Sequence, residues 1–171
     1  MPITTAPPHS ATRHHIGAIA LDSRAPGAVA GFEVRVARTS GCGESMSAQD
    51  RTWPGLMRRA GRAHLGIWGL EGLADTVELL MSELVTNGFQ HGSGDTVGVR
   101  LWRTETYLCV EVSSGGGEGT PCPREAGPLE ESGRGLGLVA VLADAWGATP
   151  DGARTWCLLA VAAAPAGGGD R

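Results

Sequence analysis

Segments with strand-like alternation and segments with helical spacing follow one another in a definite order along the middle of the chain. An alternating strand at 32–37 comes first, with Phe32, Val34 and Val36 on one side. The later segments, in chain order, are helices at 54–68 and 71–91, strands at 97–102 and 107–112, a helix at 135–145, and strands at 146–148 and 155–161. This order predicts an α/β fold, a two-layer α/β sandwich with the helices on one face of a mixed sheet.

Residues 1–30 and 163–171 show neither strand-like alternation nor helical spacing. Small residues, proline and, near the start, histidine dominate them, so we predict a disordered N-terminal arm and a disordered tail around a single domain at 31–162. The longest early apolar run, 16–21, is too short for the core of a signal peptide or for a membrane span. We therefore predict a cytoplasmic protein.

The helix predicted at 71–91 carries a polar pair beside its apolar stripe. The stripe consists of residues at helical spacing, namely Leu73, Val77, Leu80, Met81, Leu84 and Gly88. Glu83 and Asn87 are four residues apart, so they are neighbours on one flank at the margin of the stripe. A carboxylate beside a neutral amide suits a site that needs a proton acceptor and a hard oxygen ligand, as Mg²⁺ on a nucleotide requires. The alternative is an ordinary solvated pair on a helix surface.

A glycine-rich segment at 132–138 reads Ser-Gly-Arg-Gly-Leu-Gly-Leu and opens the third helix. Glycines let the backbone approach a ligand closely, and a helix N-terminus offers free N–H groups and a positive dipole end to phosphate. The segment is not a dinucleotide-binding fingerprint, because it lacks the third glycine and no short strand leads directly into it. The alternative is a flexible loop that caps an amphipathic helix.

The composition excludes several other classes of protein and of binding site. All 14 basic residues are arginine, and the lack of lysine excludes a P-loop, a conventional protein kinase and a Schiff-base enzyme. The net charge of −4 provides no overall basic field for nucleic acid or a membrane surface. The four cysteines have no zinc-type spacing, so we predict reduced core thiols.

The polar pair and the glycine segment together resemble the GHKL ATPase superfamily. They are most similar to small single-domain ATP-binding regulators related to anti-sigma factor serine kinases. The segment Glu83-Leu-Val-Thr-Asn87 resembles the N box of that family, and the glycine segment resembles its second glycine box. The resemblance covers roughly 31–162 and implies a histidine-kinase-like ATP-binding domain with the Bergerat-type fold.

This resemblance implies a protein serine/threonine kinase that uses ATP and Mg²⁺ and acts on a sigma factor or a sigma-antagonist protein. Glu83 would be the general base, and Asn87 would hold Mg²⁺. The loop 115–133 would be a lid over ATP. The phosphates would lie against the glycine segment, namely Arg134, Gly135, Leu136 and Gly137. The sequence leaves open whether the protein is a homodimer.

One position departs from the family pattern. After the strand at 107–112, the family has an aspartate that accepts a hydrogen bond from the adenine amino group, followed by a glycine pattern to which Gly116 belongs. Ser114 occupies the place of that aspartate. Loss of a charge-assisted hydrogen bond costs about 1.5 to 3 kcal/mol. The alternative function is therefore a non-catalytic protein-binding module of the same fold with weakened nucleotide binding.

Overall fold

A computed structural model of the protein describes residues 27–41, 44–115, 132–149 and 151–161. Its helices and strands are β1 Ala30–Ala37, α1 Trp53–Ile67, α2 Ala74–His91, β2 Thr96–Arg103, β3 Tyr107–Ser113, α3 Ser132–Leu142, β4 Ala145–Ala148 and β5 Arg154–Ala160. Short 3-10 turns lead into α1 and α2. The predicted order of elements and the two-layer α/β class are confirmed. Apart from 27–30, the predicted arm and tail lie outside the described residues.

The five strands form one sheet in the order β1-β2-β3-β5-β4. All four strand pairs are antiparallel, whereas the sequence predicts a mixed sheet. The strands β3 and β4, which the connection containing α3 joins, do run in the same direction. However, β5 is hydrogen-bonded between those two strands, so they never pair with each other.

The main core lies between the sheet and α2. The predicted stripe of α2 is buried at every position except the half-buried Leu73. It belongs to one buried cluster with inward-facing residues of the sheet, among them Val97, Val99, Leu101, Leu108, Val110 and Val112. Burial of this stripe fixes the rotation of α2, so the flank that carries Glu83 and Asn87 lies half-buried at the margin of the core.

The sequence suggests Leu56, Ala60, Ala63, Leu65 and Ile67 as the apolar positions of α1, and of these only Leu65 is fully buried. Leu56 and Ile67 are exposed, and the buried residues are Met57, Gly61 and Leu65. Gly61 accounts for the difference, because a Cβ atom there would lie 2.5 Å from Sδ of Met81. The absence of a side chain at Gly61 lets α2 approach closely, so a glycine lies in the buried line beside Met57 and Leu65.

Helix α3 begins and ends three residues earlier than the predicted 135–145. Its start at Ser132 places the glycine segment inside the first two turns. At the other end the Asp144 backbone N–H donates to the Leu158 carbonyl at 3.0 Å, and an Asp144 carboxylate oxygen accepts from the Ala160 N–H at 2.6 Å. These bonds tie the chain to β5 before a further helical turn can form.

Two cysteines in the described part of the chain are free and buried, as predicted for core thiols. Burial raises the pKa of the Cys157 thiol to about 12, and burial also raises the pKa of Cys109. Both thiols therefore stay protonated at neutral pH and are poor nucleophiles. Cys42 and Cys122 lie outside the described residues.

Candidate functional site

Glu83 and Asn87 lie one turn apart on α2 and are both half-buried. Each is followed by a fully packed residue of the core stripe, Leu84 after Glu83 and Gly88 after Asn87. Among the residues that the structure describes, no hydrogen bond or ion pair engages either side chain. The pair therefore has a fixed backbone position and polar atoms that are free to meet a ligand.

Ser114 lies directly after β3 and is only 6% exposed. Its backbone N–H donates to the Ala153 carbonyl at 2.8 Å, and its carbonyl accepts from the Gly94 N–H at 2.9 Å. Both backbone groups are therefore used within the fold. The hydroxyl is the polar group of Ser114 that can meet a ligand.

The C-terminal end of α2 touches Ser114 through two glycines. A Cβ atom on Gly88 would lie 3.6 Å from Cβ of Ser114, and one on Gly92 would lie only 2.4 Å from that atom. The φ angle of Gly92 is −71°, which any residue adopts. Space, not backbone conformation, is therefore what requires glycine at position 92.

Replacing Gly92 with alanine should destabilise the protein by about 1 to 3 kcal/mol, the usual cost of forcing an extra group into a packed site. Urea unfolding measures this loss. Gly66→Ala is the matched control, because Gly66 lies in α1 with nothing within 4 Å of its added Cβ, and alanine is the better helix former. An equal response of the two variants would show that the contact with Ser114 is unimportant.

Arg38, which lies just after β1, binds the same C-terminal end of α2. Its guanidinium donates to the Gly92 carbonyl at 2.5 Å and to the Gly88 carbonyl at 2.8 Å. These are carbonyls of the last helical turn, where a cation also interacts favourably with the helix dipole. This role of Arg38 could not be predicted from the sequence, because a lone arginine after a strand carries no local signal for a contact 50 residues away.

The glycine segment forms the N-terminal part of α3, and α3 packs against α2. Arg134 and Gly135 lie in the first turn, where the backbone N–H groups have no partner within the helix. Leu136 is half-buried, and Gly137 is exposed with open space around it. The helix that contains the glycine segment therefore packs against the helix that carries the N-box-like pair. Gly116 and most of the predicted lid 115–133 lie outside the described residues.

A cavity of about 530 Å³ is lined in part by residues of α2 that lie close to the polar pair in sequence. Thr86 and Gln90 line it from α2, each three residues after a member of the pair and thus on the adjoining helix face. The opposite wall comes from the segment that precedes and begins α1, including Met46, Arg51 and Pro54. This cavity could not be predicted from the sequence, because its two walls are more than 30 residues apart in the chain.

A carboxylate and an amide on α2, with the glycine-rich helix α3 packed against α2 beside an antiparallel sheet, are the features expected of a nucleotide-binding α/β domain. The sequence model of the histidine kinase-like ATPase domain matches residues 46–159, or 114 of the 171 residues, so the chain belongs to this family of the GHKL superfamily. A comparison with curated proteins found no match. Family membership supports ATP binding and a regulatory function. In the described part of the chain, no helix is both long enough and apolar enough to cross a membrane.

Proposed function

We propose that the protein is an ATP-binding regulator with protein serine/threonine kinase activity of the anti-sigma factor type. The observation that carries the proposal is the half-buried pair of Glu83 and Asn87, one turn apart on α2 and unengaged by other described residues. The proposed partner is a sigma factor or a sigma-antagonist protein, and the proposed location is the cytoplasm. A homodimer is compatible with this function.

The proposed roles follow from the chemistry of each group. The Asn87 amide oxygen suits Mg²⁺, which takes few protein ligands and fills its other positions with phosphate oxygens and water. Bound Mg²⁺ would neutralise charge on the phosphates. The free N–H groups of the first turn of α3 would bind phosphate oxygens, with Arg134 as an added cation and with Gly135, Leu136 and Gly137 giving close access.

In the transfer step, a serine hydroxyl oxygen of the partner forms a bond to the γ-phosphorus. The bond between that phosphorus and the β,γ-bridging oxygen breaks, and ADP leaves with the bonding electrons. Glu83 takes the proton of the hydroxyl as general base. No lysine is needed, because backbone N–H groups and Arg134 would contact the phosphates and the Asn87 amide would hold the Mg²⁺ that neutralises their charge.

A second candidate function is a protein-binding module that does not transfer phosphate. It is favoured by Ser114 at the position where the family has an aspartate for adenine. Retention of both members of the pair on α2 favours the kinase instead, because a module without nucleotide chemistry does not need a carboxylate there.

Calorimetric titration with Mg-ATP separates the two functions. We expect the wild-type protein to bind Mg-ATP at micromolar concentrations. Asn87→Ala should abolish the dependence of ATP affinity on Mg²⁺, because the amide oxygen is the proposed protein ligand. If only Ser114→Asp binds and the wild type does not, the binding module is the better description.

A further inference from the structure

The surroundings of Ser114 indicate which nucleobase the proposed site accepts. This inference rests on the proposed function. The Ser114 hydroxyl is the polar group left to meet a base, because the backbone N–H and carbonyl bind Ala153 and Gly94. A hydroxyl can donate or accept a hydrogen bond, whereas an ionised carboxylate only accepts. A serine here can therefore pair with a carbonyl on a base, which an aspartate cannot do.

Arg38 adds a positive charge close to Ser114. A Cβ atom on Gly92 would lie 2.4 Å from Cβ of Ser114 and 2.5 Å from Nη2 of Arg38, so these two atoms are within about 5 Å of each other. The guanidinium is held there by its bonds to the Gly88 and Gly92 carbonyls. A fixed cation attracts a carbonyl oxygen and repels the hydrogens of an amino group.

We infer that the base end of the site is suited to a purine with a carbonyl at C6. Inosine and guanosine triphosphates carry that carbonyl, whereas ATP carries an amino group there. With Ser114 and Arg38 as the specificity-determining residues, ITP and GTP should bind at least as tightly as ATP. ITP is the more informative probe, because it lacks the additional 2-amino group of guanine.

The test compares the dissociation constants of Mg-ATP, Mg-ITP and Mg-GTP for four proteins. For the wild type we expect ITP and GTP to bind as tightly as ATP or more tightly. Ser114→Asp should reverse the preference and favour ATP by about tenfold, because a carboxylate accepts from the amino group but repels the carbonyl. Ser114→Ala should weaken ITP relative to ATP several-fold. Ser113→Ala is the matched control, since Ser113 is the preceding residue, lies against Gly98 of β2 and should leave all ratios unchanged.

Failure of the base-specificity inference and failure of the proposed function give different results in this test. If the wild type binds ATP at least tenfold more tightly than ITP, the inference is overturned while the proposed function stands. If none of the three nucleotides binds to the wild type or to any variant, the proposed function fails as well. Circular dichroism checks that Ser114→Asp is folded. If it is not, Ser114→Ala decides, and an ATP to ITP ratio equal to that of Ser113→Ala overturns the inference.

Discussion

Glu83→Gln should reduce phosphoryl transfer to the partner protein about 10²- to 10⁴-fold, the range that a general base typically contributes. The substitution keeps the size of the side chain and its hydrogen-bonding capacity but removes the group that takes the proton. Because Glu83 contacts the reacting hydroxyl and not the base of the nucleotide in the proposed site, the dissociation constant for Mg-ATP should change by less than about threefold. Transfer of label from γ-labelled ATP to candidate sigma-antagonist proteins measures the rate.

Glu78→Gln provides the matched control on the same helix. Glu78 forms an ion pair with Arg62 at 2.6 Å on the surface between α1 and α2, away from the core margin where Glu83 lies. This variant should transfer phosphate at the wild-type rate. Full activity in Glu83→Gln would remove Glu83 from the mechanism, and equal losses in both variants would point to a general effect of charge on α2.

The elements that sequence periodicity predicts best are those with a long, continuous apolar pattern. Helix α2 is buried along one apolar stripe, so spacing alone places Val77, Leu80 and Leu84 inward and Glu83 and Asn87 at the margin. The strands β2 and β3 are similarly predictable, because valine and leucine dominate both. The polar pair follows directly from this geometry, as its position is fixed by the same stripe.

Features that depend on contacts between distant segments could not be predicted in the same way. The buried line of α1 passes through Gly61, a residue with no hydrophobic signal, because the contact requires space for Met81. The bonds from Arg38 to the end of α2 span at least 50 residues. The antiparallel sheet depends on β5 pairing between β3 and β4, which local alternation does not encode.

Asp50 is a further long-range element that the sequence does not reveal. It lies in the turn before α1 and is fully buried. Its carboxylate accepts hydrogen bonds from the backbone N–H of Thr39 at 3.1 Å and of Ser40 at 2.9 Å, and from both hydroxyl groups at 2.8 and 2.5 Å. These two residues directly follow Arg38. Asp50 therefore holds the segment from which the guanidinium reaches α2, and so connects the start of α1 to the base end of the proposed site.

Asp50→Asn should lower the free energy of unfolding at pH 7 by about 2 to 4 kcal/mol, because an amide N–H₂ then faces donors and leaves buried groups unpaired. Burial alone would raise the pKa of Asp50, but the hydrogen bonds from Ser40 and Thr39 together outweigh it and hold the pKa well below the ordinary value of 3.8. The stabilisation is therefore complete above about pH 4 and decreases as the pH falls below the pKa of the unfolded state, where only the unfolded chain binds the proton.

Urea unfolding at pH 7 and pH 3 measures this effect. The difference in unfolding free energy between wild type and Asp50→Asn should be smaller at pH 3 than at pH 7. Asp75→Asn, at an exposed ion pair with Arg62, should change the unfolding free energy little at either pH. A difference of the same size at both pH values would contradict the role of the ionised carboxylate.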